Sequence, residues 1–206
     1  VERISHFGPA PNFAKPLGFD YGGTAVTEPS HAMFNRAQQA LREGHWADAR
    51  RELLVLVETL RAEAGEPLAD ALRSLGEVER KLRNGEQARA RYQQAVAILR
   101  NCANPLKLAH AVRHLGDIHR WNGHPDLARP CYDEALALYR AYPDADPLDV
   151  ANAIRSMAVL RQDAGEFTAA RELWAAARGI YAELGIDAGV AECDRCQRQI
   201  DDSARP

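Results

Sequence analysis

Arginine returns at a fixed place along this chain. Arg73, Arg113 and Arg155 are 40 and 42 residues apart, and a second rung is formed by Arg80 and Arg120, each followed by Lys81 or Trp121. A guanidinium is planar, always charged and able to grip a carboxylate or phosphate with two parallel N–H donors. Trp121 adds a flat surface on which a partner side chain can stack. A ladder of such groups suits an anionic or carboxylate-bearing ligand. It also suits self-neutralisation, because Arg73–Glu77 and Arg113–Asp117 are i,i+4 pairs, each worth about 0.3–0.5 kcal/mol when exposed.

Other residues with chemical potential are less well placed. His110 and His114 are four apart, a spacing that can offer two imidazoles to a metal. No third ligand stands at metal-like spacing, and His119 is rotated away from His114 on the same helix, so a metal is not expected. Cys193 and Cys196 form a C-x-x-C pair. A thioredoxin-type site needs a strand before its helix, and a zinc site needs a second pair; neither is visible. The pair therefore reads as two small apolar residues packing a terminal helix. No phosphate-binding glycine loop and no nucleophile motif occur. The expectation is a non-catalytic protein with no cofactor.

Composition narrows the class. The chain has 206 residues, 46% hydrophobic and 27% charged, as globular proteins do. No apolar run is long enough to span a bilayer. The net charge of −3 argues against a protein that coats nucleic acid. Of the 26 basic residues, 23 are arginine. Four scattered cysteines do not make a disulfide scaffold, so a reducing, cytoplasmic setting is expected.

The elements that must position these residues are repeats. Residues 1–29 form an arm rich in Pro and Gly, carrying Phe7, Phe13, Phe19 and Tyr21; its aromatics suit docking into a groove. From residue 30 onward four segments align without gaps. A small residue recurs at Ala37, Gly76, Gly116 and Ala158, followed twelve residues later by Ala49, Ala88, Ala128 and Ala170. Four further on stand Leu53, Tyr92, Tyr132 and Trp174. One register is kept through unequal steps of 39, 40 and 42 residues. Apolar spacing at i, i+3, i+4 and i+7 makes each segment two amphipathic helices. The small residue admits the second helix, and the large residue fills the space left. Pro29, Pro67, Pro105 and Pro147 stand ahead of the first helices, where a missing N–H costs nothing. Turns are expected at Gly44, Gly123 and Gly165; Arg83 holds that place in the second repeat, which predicts a differently shaped turn there.

The Leu75-Gly76 and Leu115-Gly116 pairs, with Ala88/Tyr92 and Ala128/Tyr132, resemble the tetratricopeptide repeat. The longer period and the Pro147-Leu148-Asp149-Val150-Ala151 entry resemble its kinesin-light-chain type. The chain departs from the pattern where an aromatic is expected three residues after the small one; Ala40, Glu79, His119 and Arg161 stand there. The resemblance implies an all-α, right-handed α-solenoid of four helical hairpins, about residues 30–66, 67–104, 105–146 and 147–186. A C-terminal capping helix over 187–202 and the extended N-terminal arm complete it.

The resemblance also implies a concave groove lined by the first helices, in which such proteins hold peptides. Twenty positions map to that groove; seven are Lys or Arg and four are Asp or Glu, giving +3 there against −6 for the remainder. The candidate peptide-binding residues are Arg73, Arg80, Lys81, Arg113, Arg120, Trp121 and Arg155. The Asn used by carboxylate-clamp relatives is absent, with Gln38, Glu77, Asp117 and Val159 in its place. The function expected is a protein–protein interaction module that binds an extended, acidic or C-terminal peptide segment of another protein. The alternative is a self-assembling scaffold, a homo-oligomer whose arm docks on a neighbouring subunit or on its own groove. Nucleic acid and membrane are not expected partners.

Overall fold

The computed structural model describes residues 28–62 and 64–203. The proposed arm falls almost wholly within residues 1–27, outside the described residues. Every regular element among the described residues is an α-helix: α1 (Glu28–Glu43), α2 (Trp46–Leu60), α3 (Glu66–Lys81), α4 (Gly85–Leu99), α5 (Pro105–Trp121), α6 (Pro125–Ala141), α7 (Pro147–Asp163), α8 (Phe167–Glu183) and α9 (Asp187–Ser203). They belong to two compact units, 28–138 and 139–203.

In the first unit, α1 packs on α2, α2 on α3, α3 on α4 and α4 on α5. The small-and-large register explains how closely they approach. A Cβ added at Gly76 would lie 2.8 Å from the Tyr92 ring, and one at Gly116 would lie 2.7 Å from the Tyr132 ring. Each ring therefore rests on its own repeat's first helix where no side chain stands in the way. Leu53, Leu56, Leu75, Leu99 and Ile118 fill the space between layers. In the second unit α7 packs on α8 and α8 on α9, around a core of Trp174, Tyr181, Ala158, Cys193, Cys196 and Ile200.

Local chemistry sets the ends of the helices. Pro67, Pro105 and Pro147 stand in the first turns of α3, α5 and α7. Asn104 and Asp146 cap two of these helices by accepting the backbone N–H groups of Lys107 and Leu148.

The turns correct one expectation. Gly44, Gly123, Gly165 and Gly185 have φ between 67° and 80°, and Arg83 has φ 62°. The following residue donates to the carbonyl five positions back in every case: His45 to Ala40, Asn84 to Glu79, His124 to His119, Glu166 to Arg161, Ile186 to Tyr181. This is the left-handed C-terminal turn that favours glycine. Arg83 does not reshape its turn; it adopts the same one despite its Cβ.

The residues that replace the expected aromatic are tied to these turns. Glu79, fully buried, accepts from Asn84 and from Arg50 on α2, and Arg161 pairs with Glu166.

Candidate functional site

The rung arginines are buried. Arg73 and Arg113 are each 4% exposed and Arg155 is 7% exposed. Such charges are tolerable only when paired and hydrogen-bonded, so their partners decide what they do.

Arg73, on α3, donates through Nη1 to Asp70 at 2.8 Å and through Nη2 to His110 Nδ1 on α5 at 2.8 Å. Its partner is not Glu77, which pairs with Arg80 instead. Asp70 also accepts from Lys107 Nζ at 2.9 Å, so α3 and α5 are laced together by two cross-repeat bonds. Arg113 donates to His114 Nε2 at 2.9 Å and to Asp117 at 3.4 Å. Asp117 is held from the other side by the Tyr132 hydroxyl at 2.8 Å.

A guanidinium has no lone pair to offer, so in both Arg–His contacts the imidazole nitrogen is the acceptor. His110 therefore carries its proton on Nε2 and His114 on Nδ1. Burial, and then the neighbouring guanidinium groups, hold both imidazoles well below the usual histidine range. One nitrogen of each ring, His110 Nδ1 and His114 Nε2, is engaged by arginine. Among the described residues no group of three or more His, Cys, Asp or Glu could hold a metal ion.

In the second unit Arg155, on α7, meets Glu192 on α9 with two bonds of 2.8 and 2.5 Å. Asn152 accepts from the Tyr181 hydroxyl at 2.8 Å. Cys193 and Cys196 are free thiols with no exposure, pushed by burial up to about 12 and about 11. Neither is a thiolate near neutrality.

Sequence reasoning missed a spacing of 37 residues. It joins Arg73 to His110, Asp70 to Lys107 and Arg155 to Glu192. For Arg73 and His110 the signal was present: the step links the position three before one small residue, Gly76, with the position six before the next, Gly116. The His31, Asp70, His110, Asn152 series, extended by one repeat, arrives at Glu192.

The second rung is more accessible. Lys81 is exposed, and Arg120 and Trp121 are half-buried at the end of α5. Arg80 lies over the Trp121 ring at 4.9 Å, and Lys81 over Trp46 at 5.5 Å. The Nε–H of Arg73 and the indole N–H of Trp121 are buried donors with no acceptor among the described residues.

The sequence matches the tetratricopeptide repeat family over residues 67–141 and again over 106–183. The chain belongs to that family. Among solved structures, the tetratricopeptide chain is similar to BtubC (BKLC) from P. vanneervenii, with 18% identity and a TM-score of 0.70 over 80% of this chain and 68% of that one. It is also similar to a Podosopora anserina kinesin-light-chain-type protein with nearly identical TPR-like repeats. There the identity is 15% and the TM-score 0.64, over 88% of this chain and 100% of that one. A third likeness is to a Pyrococcus horikoshii signal transduction ATPase with a tetratricopeptide repeat sensor. It has 16% identity and a TM-score of 0.76, over 88% of this chain and 28% of that one. No curated protein matches the sequence. Tetratricopeptide repeats generally mediate protein–protein interaction or scaffolding and are typically non-catalytic. No helix among the described residues is long and apolar enough to cross a membrane.

Proposed function

We propose that the face made by the first helices α3 and α5 binds an extended, acidic segment of another protein. The observation that carries this reading is the set of accessible donors at the ends of α3 and α5, exposed Lys81 with half-buried Arg120 and Trp121, the Trp121 indole N–H having no acceptor among the described residues. A buried donor left unsatisfied costs about 1–3 kcal/mol. Backbone carbonyls and carboxylates of an extended segment supply what these donors lack.

In this reading the basic residues divide their work. Lys81 and Arg120 draw in the acidic segment, and Trp121, backed by Arg80, is its anchor. Arg73 and Arg113 hold the helices that present them, while Arg155 plays the corresponding part between α7 and α9. The electrostatic part is modest, since Lys81 and Arg120 are at least partly solvated.

The test is titration of a fluorescein-labelled Glu-rich decapeptide, and its Gln counterpart, into the full chain. The Glu peptide is expected to bind more tightly. Trp121→Phe, which keeps a ring and removes the donor, is expected to weaken binding several-fold, and Lys81→Ala with Arg120→Ala to erase the preference for Glu. Equal affinity of wild type and all variants for both peptides would remove the face from consideration.

A further inference from the structure

The buried His110–His114 pair lies outside the residues proposed to meet a peptide and sits at the joint between the second and third repeats. The two rings are 4.5 Å apart, and Tyr92 from α4 stacks on His114 at 5.5 Å. The charged groups around them are Asp70 and Arg73 from α3, with Arg80 further along it, and Arg113 and Asp117 from α5 itself. Lys107 of α5 and Tyr132 of α6 reach the pair's surroundings through Asp70 and Asp117.

We propose that His110 and His114 are a proton-operated release for the α3–α5 joint. Each imidazole keeps its bond only while neutral, because each accepts from a guanidinium that can only donate: His110 across the joint from Arg73 of α3, and His114, packed on His110, within α5 from Arg113. A proton on His110 Nδ1 would face the Arg73 N–H across 2.8 Å, and one on His114 Nε2 would face the Arg113 N–H across 2.9 Å. Two donors cannot share that space, so protonation expels the guanidinium from its partner. Charge points the same way. Arg73, Arg113 and Lys107 already surround Asp70 and Asp117, and two further protons add positive charge to this buried cluster.

The sign follows from linkage. Burial and the adjacent guanidiniums depress both imidazoles in the folded chain, while in the unfolded chain they titrate near the ordinary value of about 6.5. Above that pH neither state binds the protons, and stability is unaffected. Below it the unfolded chain takes them and the folded chain does not. The folding equilibrium constant then falls by up to about tenfold per pH unit for each ring, or about a hundredfold for both. Seven histidines occur in the chain, and none lies in residues 139–203, so the second unit lacks this device.

The experiment is urea unfolding of the full chain at pH 7.5, 6.5 and 5.5, for wild type and for the double variant His110→Gln with His114→Gln. The Gln carbonyl can accept from a guanidinium but does not titrate, and the carboxylates common to both proteins cancel in the comparison. Between pH 6.5 and 5.5 the wild-type equilibrium constant is expected to fall at least tenfold more than that of the variant. Parallel pH dependences would overturn the proposal. Should the variant fail to fold, imidazole 15N resonances of the folded wild type decide the matter. At pH 6 they should show two neutral rings, His110 protonated on Nε2 and His114 on Nδ1. Rings that take up protons near pH 6.5 while the chain stays fully folded would equally overturn it.

Discussion

Arg73 and Arg155 occupy the same place in their repeats and reach the next repeat's helix by the same 37-residue step, but they meet different acceptors. Arg155 closes on a carboxylate, Glu192, which is itself 3% exposed. Arg73 divides itself between Asp70 and a neutral imidazole, and Asp70 has Lys107 in reserve. The first arrangement is a compact ion pair in a buried setting. The second is a mesh in which no single bond is indispensable and one acceptor can be switched off by a proton. Within one repeat scaffold the same guanidinium position thus yields a fixed joint and a conditional one.

The largest effect expected from this contrast is on stability. Arg155→Ala strands a buried carboxylate and is expected to cost about 3–5 kcal/mol. Arg73→Ala leaves Asp70 with Lys107 and leaves an uncharged imidazole, so about 1–3 kcal/mol is expected. Urea midpoints of the two variants at pH 7.5 check the order; equal losses would abolish the distinction between the joints.

A second contrast concerns the small residues. In the second and third repeats the position is glycine, with Tyr132 2.7 Å from where the Gly116 Cβ would be. In the second unit the aligned residue is Ala158, in one core with Trp174. Gly116→Ala is expected to cost about 1–3 kcal/mol by overpacking. The reverse change, Ala158→Gly, should cost about 0.5–1 kcal/mol through backbone freedom. Thermal unfolding of both variants measures this, and a stabilising Gly116→Ala would mean that the Tyr132 ring can move aside.

The smallest effect is a gain. Arg83 holds the left-handed conformation that glycine supplies in the sister turns. Its Cβ costs about 1–2 kcal/mol there, partly offset by the freedom a glycine has in the unfolded chain. Arg83→Gly should raise stability by about 0.5–1 kcal/mol, read as a higher urea midpoint. A loss would show that the Arg83 side chain contributes more than its backbone costs.

These particulars show what the sequence could and could not convey. Repetition makes packing legible, because a small residue and an aromatic sixteen positions later must keep their register for the helices to meet. Gly76 with Tyr92 and Gly116 with Tyr132 do so. Turn geometry was half legible: glycine marked three sites, while Arg83 hid a fourth because the hydrogen-bonding pattern, not the residue, sets the conformation. The arginine ladder was visible as a series but not as a set of bonds. Within-helix spacing pointed Arg73 at Glu77, whereas its long side chain reaches across to His110 of α5 in the next repeat. Glu192 lay in the terminal helix, outside the four aligned segments, so its place in the same series went unread.

The rung arginines bind the chain to itself. A double-mutant cycle at Arg155 and Glu192, using Arg155→Met and Glu192→Leu with urea unfolding at pH 7.5, tests this directly. A coupling of about 2 kcal/mol or more is expected, with the double variant recovering most of what either single variant loses. A coupling near zero would contradict the account and return Arg155 to the pool of groups free to meet a ligand.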